Sequence, residues 1–343
     1  MSLNSLKIEL TVRVLEDPNE ILKYLSIGTN IPIWPEFHKY LIRDLKLFHA
    51  KTILLLENGN PTGNVLVYHN NPDILYFGYF GIIYNNSAKI NRLIDELLNY
   101  GKLNNFKSIL GPINIPGIIF GWGFMEKSKI SNLFIQNPVN PPIYQKLFFK
   151  RGFSIYNVQN TWEGYLMRIN PWKIKKYDFS NYEYFNPKDF DELMKLKPIF
   201  LKIQLENLPE STQITPRNPD VFDNYVEFIF DFGYNFMVFF VRYKPTKDIV
   251  ACGSFLPNPF RTDERGNFNS CVVFTMAIKP EHRGKGLGQL MYGATTLQLR
   301  EKKIRYGIAP ILGDIKTATE WAKSLGGIIG RTHIILKYII NED

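Results

Sequence analysis

The fold of this chain is decided by one stretch, Val272-Val-Phe-Thr-Met-Ala-Ile-Lys-Pro-Glu-His-Arg-Gly-Lys-Gly-Leu-Gly288. The apolar run that opens it predicts a β-strand ending at Lys279-Pro280. Apolar residues at intervals of three and four follow the glycine-rich turn from Arg283 to Gly288, and they predict an amphipathic helix. Such a turn favours an anion, because free backbone N–H groups and the positive end of the helix dipole point at the bound group.

Residue spacing distinguishes this loop from two common phosphate loops. A Walker loop requires Ser or Thr after its lysine, but Gly286 follows Lys285. A dinucleotide fingerprint requires Gly-x-Gly-x-x-Gly and an acidic residue about 20 positions further on, at the end of a second strand. Gly284 to Gly288 has a different spacing, and Glu301 falls inside the predicted helix.

The loop resembles the coenzyme A loop of the GNAT superfamily of N-acetyltransferases, whose pattern is Arg/Gln-x-x-Gly-x-Gly/Ala. Arg283, Gly286 and Gly288 fill this pattern. In that family the strand end lies along the pantetheine and the loop N–H groups take the pyrophosphate. The resemblance therefore implies that acetyl-CoA, as a co-substrate, binds at Met276, Ala277, Ile278, Arg283, Gly284, Lys285, Gly286, Leu287 and Gly288.

The elements after the loop match the same family. Arg305 to Leu312 predicts a short strand, Lys316 to Leu325 a helix stopped by Gly326-Gly327, and Arg331 to Ile340 a closing strand. This order of strand, helix, Gly-Gly and strand is how a GNAT domain ends.

The first half of the chain repeats this order without a glycine loop. An apolar run from Ile74 to Tyr84 precedes an amphipathic helix, and a later helix ends at Gly152-Phe153 before a strand that can close the sheet. We therefore predict an α/β (α+β) fold of two GNAT-like domains, each a mixed, mostly antiparallel sheet flanked by helices. Residues 1–170 would form a degenerate domain, and residues 171–343 the domain that binds acetyl-CoA. The aromatic and glycine-rich segment 116–124 predicts either a cleft wall or a plug of the seam between the halves.

Composition favours a cytoplasmic protein with a small-molecule cofactor. The chain of 343 residues shows no signal peptide and no apolar stretch of membrane-spanning length, so no membrane partner is expected. Its two cysteines and five histidines lack metal-ligand spacing, so no metal is expected. The net charge of +9 comes from scattered basic residues, which do not favour a nucleic-acid partner.

The resemblance implies direct attack of an amine on the acyl thioester, without a covalent enzyme intermediate. The family often has a Tyr four residues before the glycine that ends the late helix, but Ala322 stands there, and the strand before the loop contains no acid. Asp314 is the candidate general base, and its competing role is the N-cap of the following helix. Ser324 and Tyr292 are weaker candidates for the acid.

Two functions follow from these observations. The first is an acetyl-CoA-dependent N-acyltransferase that transfers an acetyl group to a primary amine. The alternative is a non-catalytic protein of GNAT fold that binds coenzyme A or its acyl esters. The sequence leaves open the identity of the amine-bearing acceptor and the oligomeric state.

Overall fold

The structure is a computed structural model that describes residues 9–128, 133–166, 176–207, 220–313 and 315–340, without the side chains of residues 222–225. The predicted boundary at residue 170 lies outside the described residues. The strands are β1 (Leu10–Leu15), β2 (Lys51–Glu57), β3 (Asn60–Asn71), β4 (Ile74–Ile82), β5 (Ser108–Gly111), β6 (Phe124–Ser128), β7 (Ser154–Tyr165), β8 (Tyr182–Phe185), β9 (Val238–Tyr243), β10 (Asp248–Pro257), β11 (Ser270–Ile278), β12 (Tyr306–Leu312) and β13 (Ile328–Ile339). The α-helices are α1 (Pro18–Tyr24), α2 (His38–Leu47), α3 (Ser87–Leu103), α4 (Gly117–Phe120), α5 (Ile143–Lys150), α6 (Phe190–Asn207), α7 (Val221–Asp231), α8 (Leu287–Glu301) and α9 (Lys316–Ser324).

The strands of the described residues form one sheet of thirteen, in the order β1-β2-β3-β4-β5-β13-β7-β12-β11-β10-β9-β8, with β6 paired to β13. We call the part through β7 the first half and the part from β8 the second half. In each half four antiparallel strands lead to a fifth that pairs in parallel, β4 with β5 and β11 with β12. The predicted architecture of mixed, mostly antiparallel sheets flanked by helices is confirmed.

The closing strands of the two halves are exchanged. β13 pairs with β5 of the first half, and β7 pairs through Gln159 to Tyr165 with β12 of the second half. The two exchanged strands also pair with each other at the centre of the sheet. The sequence suggested that each strand closes its own half, because an apolar pattern specifies the buried face of a strand and not its neighbour.

Both halves contain a wedge where parallel strands diverge. β11 and β12 pair only from Ser270/Tyr306 to Val272/Ile308, and beyond this point they separate into what we call the second wedge. A register shift in β11 lies in this arm, because Ser254 pairs with Thr275 while Phe255 pairs with Val273. β4 and β5 likewise pair at three positions, and they separate into the first wedge.

The chain itself occupies part of the first wedge. The side-chain oxygen of Asn114 accepts a hydrogen bond of 2.7 Å from the backbone N–H of Tyr79, on the arm formed by β4. The Tyr79 hydroxyl donates to the carbonyl of Ile115. A Cβ at Gly78 would collide with the carbonyl oxygen of Ile113, so the loop packs directly on bare backbone. The loop after β5 thus packs on the arm of the first wedge through Asn114 and Ile115, and a pocket remains beside it.

A segment that follows β6 in the first half contacts the second half. Asn258, which is fully buried at the end of β10, accepts a hydrogen bond from the backbone N–H of Ile135 and donates one of 3.0 Å to the hydroxyl of Ser270. These bonds join residues of the first half to the base of the second wedge. The sequence left the roles of cleft wall and plug open: Gly123 and Phe124 of the segment line a pocket, whereas Phe120 packs on Phe37 and Tyr79.

A buried ion pair joins the exchanged strands. Arg331 of β13 donates from Nε to Glu163 Oε1 of β7 over 2.7 Å, and the two side chains are 0% and 1% exposed. The Tyr306 hydroxyl donates to the other carboxylate oxygen at 2.9 Å. Because a buried charge without its partner is strongly unfavourable, this pair depends on both strands being in place.

We expect Glu163→Gln to lower the free energy of unfolding by about 3–5 kcal/mol, because the guanidinium of Arg331 would remain buried without its counter-charge. Urea unfolding measures this change. The control is Asp95→Asn, which breaks an ion pair with Arg151 of the same 2.7 Å length whose side chains are 47% and 33% exposed. We expect it to cost less than about 1 kcal/mol. Equal losses in the two variants would contradict the assigned role of Glu163.

His333 gives the stability a pH dependence. Burial lowers the pKa of this β13 histidine from 6.5 to about 4, and its Nε2 lies 2.9 Å from the carbonyl oxygen of Pro138. Burial disfavours the charged ring in the folded state. The free energy of unfolding therefore keeps its full value above pH 6.5 and falls by up to about 3 kcal/mol as the pH drops to about 4. In unfolding measurements from pH 7 to 4, His333→Gln should show a shallower slope. An unchanged slope would contradict this assignment.

Candidate functional site

The glycine loop joins the end of β11 to the start of α8. A short 3₁₀ turn at Pro280–His282 leads into it, and Gly284 and Gly286 adopt φ angles of 74° and 78°, which glycine reaches without a steric cost. Gly286 is the N-cap residue of α8 and supplies no side-chain hydrogen bond. The N–H groups of the first helical turn are therefore not capped by this residue, and a bound anion can take that place.

Open space lies beside two of the three glycines. A Cβ added to Gly284 or Gly288 would meet no atom within 4 Å, so a ligand can approach the backbone at both positions. A Cβ on Gly286 would instead lie 2.5 Å from the ring of Tyr177. Tyr177 therefore covers one side of the loop, and the Lys176 ammonium lies 4.9 Å from the centre of its ring. Sequence reasoning missed Tyr177, because it is remote in sequence and belongs to no motif.

Arg283 holds the loop in place. Its Nε donates to the carbonyl of Ile278 and its Nη2 to the side chain of Asn207 at the end of α6, both over 3.1 Å. The sequence suggested that Arg283 adds charge for a phosphate, whereas its hydrogen bonds fasten the loop to β11 and α6. Lys285 is exposed beside it.

His282 anchors the turn before the loop. Its Nδ1 lies 3.0 Å from the hydroxyl of Tyr182 in β8, and its ring packs against Tyr243 in β9. Burial lowers the pKa of His282 below 6.5, which favours the neutral ring near pH 7. The loop is thus attached to the outer strands of the second half.

The other predicted contact residues are continuous with this loop. Ala277 is buried in β11, while Met276 and Ile278 are half-buried on the arm of the second wedge. Leu287 is buried as the first residue of α8. The structure therefore brings the predicted strand end, loop and helix start into one continuous surface.

A groove runs between α8 and α9 beside the second wedge. Cys252 contacts the backbone of Phe200 in α6, whereas Phe255, on the opposite face of β10, contacts Tyr292 of α8, so α6 and α8 pack on opposite faces. We call the space between the two later helices the α8–α9 groove. It is open to solvent and is lined by Trp162, Glu163, Gly164, Tyr165, Leu166, Val273, Tyr292, Gly307, Ile308, Ala309, Trp321, Ala322, Leu325 and Gly327.

The groove contains one of the weaker acid candidates and excludes the other. Tyr292 is 2% exposed, and burial raises the pKa of its hydroxyl, so the side chain is protonated at neutral pH. Ser324 is exposed on α9, and its hydroxyl donates to the carbonyl of Trp321. Ala322 faces the groove without any polar group.

The candidate base Asp314 lies outside the described residues. The helix that follows it, α9, begins at Lys316, and its N-cap residue is Ile315, which makes no side-chain cap. On the α6 face of the wedge, the hydroxyl of Thr275 donates to the side-chain oxygen of Gln204 over 2.6 Å. Sequence reasoning missed this polar pair, because neither residue belongs to a recognisable motif.

The described residues contain neither a cluster of metal ligands nor a membrane-spanning helix. In these ranges no group of three or more His, Cys, Asp or Glu side chains is arranged to hold a metal ion. No helix within them is long and apolar enough to cross a membrane.

Comparison with known proteins agrees with this geometry. Residues 202–311 match the model of the acetyltransferase (GNAT) family. A search of the curated proteins finds no match. Among solved structures, a tandem GNAT protein from the clavulanic acid biosynthesis pathway aligns with a TM-score of 0.63 at 12% identity, over 98% of this chain and 100% of that one.

Two further solved structures align over nearly the whole chain. One is the glucosamine N-acetyltransferase region of a fungal multi-domain GH3 β-N-acetylglucosaminidase, with a TM-score of 0.62 at 14% identity over 96% of this chain and 38% of that one. The other is a GCN5-related N-acetyltransferase from Sphaerobacter thermophilus, with a TM-score of 0.54 at 9% identity over 97% and 96%. The predicted resemblance and the tandem arrangement are confirmed, and at these identities the solved structures establish the fold alone.

We expect Gly288→Glu to weaken coenzyme A binding by at least roughly 100-fold, because the new carboxylate would occupy the open space beside the loop and repel a phosphate. The fold should remain intact, since an acidic residue in the first turn of a helix is favourable. The control, Gly288→Ala, adds a Cβ where no atom lies within 4 Å and should bind within about threefold of the wild type. Calorimetry measures both, and unchanged affinity in Gly288→Glu would contradict the assignment.

Proposed function

We propose that this chain, which has the fold of tandem GNAT proteins and a GNAT-family domain at residues 202–311, transfers an acetyl group from acetyl-CoA to a primary amine. The observation that carries the proposal is the glycine loop at the end of a diverging strand. Backbone N–H groups, an α8 N-cap without a side-chain acceptor and open space at Gly284 and Gly288 together form a cradle that fits a pyrophosphate.

The proposal assigns one cofactor to each chain, in the second half. The turn after β4, residues 83–87, contains no glycine, and the side chain of Asn114 already takes the backbone N–H of Tyr79. The helix that follows the first wedge, α3, is capped by the side chain of Asn86, which accepts from two N–H groups of its first turn. An anion at that helix start would have to compete with this cap.

Acetyl-CoA supplies an activated acyl thioester, and the residues of the chain bind and orient it. The loop N–H groups would hold the pyrophosphate, and the backbone of Met276 to Ile278 would hold the pantetheine against β11. The amine would approach the wedge from the α6 face, near Thr275 and Gln204. Its nitrogen attacks the carbonyl carbon and the carbon–sulfur bond breaks. One proton leaves the nitrogen, and the departing thiolate gains one.

The proton transfers need two groups. Asp314 is the proposed acceptor of the amine proton. Tyr292 is the proposed donor to the thiolate, because its side chain lines the α8–α9 groove beside the second wedge. General acid and base groups of this kind contribute typically about 10²–10⁴ in rate.

A non-catalytic protein that binds coenzyme A or its acyl esters is the second candidate. Ala322 favours it, since this groove residue stands where the family often has a tyrosine, and no acid occupies β11. Both candidates share the cofactor site and differ only in turnover.

The unpaired cysteines Cys252 and Cys271 agree with the proposed cytoplasmic location.

The test combines binding with turnover. The wild type should bind one acetyl-CoA per chain and release free thiol in the presence of an amine panel of amino acids, polyamines, aminoglycosides and peptides. Binding without turnover on any amine would favour the second candidate. Absence of binding would refute both.

We expect Asp314→Asn to lower kcat by about 10²–10⁴, because the amide cannot accept the proton of the amine. The affinity for acetyl-CoA should stay unchanged. The control is Asp263→Asn in an exposed turn, where an amide can still accept the hydrogen bonds from the N–H groups of Arg265 and Asn267. A kcat for Asp314→Asn within about threefold of the wild type would show that Asp314 is not the base.

A further inference from the structure

The α8–α9 groove continues past the point where the second wedge closes. Its upper lining residues, Val273 and Ala309, lie directly beyond the last paired residues of β11 and β12. Its lower lining residues include Gly164 and Tyr165, which pair with Gly307 and Tyr306 at the opposite end of β12. The groove therefore extends from the base of the wedge towards the start of β12.

The lower part of the groove is about 10 Å long. Three residue steps separate Ala309 from Tyr306 along β12, and each step of an extended strand advances about 3.3 Å. Arg300, near the end of α8, donates over 3.0 Å to the carbonyl of Leu166, a residue that lines this end of the groove. This length exceeds what an acetyl group fills.

The groove has apolar walls. The rings of Tyr292 and Trp321 meet edge to face, with centroids 5.2 Å apart, and bridge the two helices above it. Glu163 is the only charged residue among those that line the groove in the described part of the chain, and its carboxylate is occupied by Arg331 and Tyr306. A hydrocarbon chain bound in the groove would therefore bury apolar surface without leaving a charged side chain unpaired.

Small residues keep the groove open. A Cβ on Gly164 would have one neighbour within 4 Å, the Cα of Gly327 at 3.8 Å, which is ordinary van der Waals contact. Ala322 adds only a methyl group to the wall. A larger side chain at either position would project into the space between the helices.

We propose that the α8–α9 groove binds the acyl chain of an acyl-CoA longer than acetyl-CoA, a saturated chain of about four to eight carbons. The inference rests on the proposed function, because a thioester held at the second wedge directs its acyl group into the groove. The continuity of groove and wedge, the apolar walls and the length of the lower part carry it.

The first experiment measures affinity for coenzyme A and for its acetyl, butanoyl, hexanoyl and octanoyl thioesters by calorimetry. Each buried methylene should tighten binding by about fourfold, which corresponds to about 0.8 kcal/mol. We expect hexanoyl-CoA to bind at least roughly 20-fold more tightly than acetyl-CoA. A flat or falling series would overturn the inference while leaving acetyl-CoA binding, and hence the proposed function, intact. Absence of binding by every compound would refute the proposed function itself.

The second experiment narrows the groove. Gly164→Val should reduce the preference for hexanoyl-CoA to within about threefold of acetyl-CoA, with the affinity for acetyl-CoA itself retained. The control is Asn160→Val, on the same face of β7 and outside the groove, which should keep the wild-type series. An unchanged series in Gly164→Val would overturn the inference.

A second narrowing variant tests the same space from the helix side. Ala322→Leu should show the same loss of preference, and it makes the test independent of whether Gly164→Val folds. Retained binding of acetyl-CoA reports that each variant has folded.

Discussion

The exchange of β7 and β13 is the constraint on which the rest of this structure depends. It places the floor of the α8–α9 groove on a strand of the first half, because β7 borders β12 and contributes Trp162 and Gly164 to the lining. The buried pair of Glu163 and Arg331 joins the exchanged strands where no water can replace a lost partner. The α8–α9 groove is therefore complete only with a strand of the first half in place.

The two halves show how one backbone supports opposite outcomes. Each half has a parallel strand pair that diverges after three residues and a register shift in the arm of its wedge. In the first half, the side chain of Asn114 satisfies the backbone of that arm, and the side chain of Asn86 caps the helix that follows. In the second half, glycines and an N-cap without a side-chain acceptor leave room beside the loop. Loop chemistry, not sheet geometry, distinguishes the two wedges.

The sequence was informative wherever structure is set by neighbouring residues. The strand, glycine loop and helix from Val272 onwards follow from local pattern, and so do the repeat of elements and the mixed sheets. Strand partners were not predictable, because β7 and β13 present the same apolar pattern to either neighbour. The ring of Tyr177 on Gly286, the hydrogen bonds of Arg283 and the pair of Thr275 with Gln204 each join remote segments. Packing alone determines such contacts.

The exchange also affects the order in which the chain can fold during synthesis. β13 follows the other strands of the described chain, and until it is made β5 has an open edge and β7 has no neighbour on the side away from β12. Contacts between segments so distant in sequence form slowly, and an uncovered strand edge pairs readily with other chains. The first half therefore reaches its native sheet only after β13 has been made, and until then its open strand edges favour pairing with other chains.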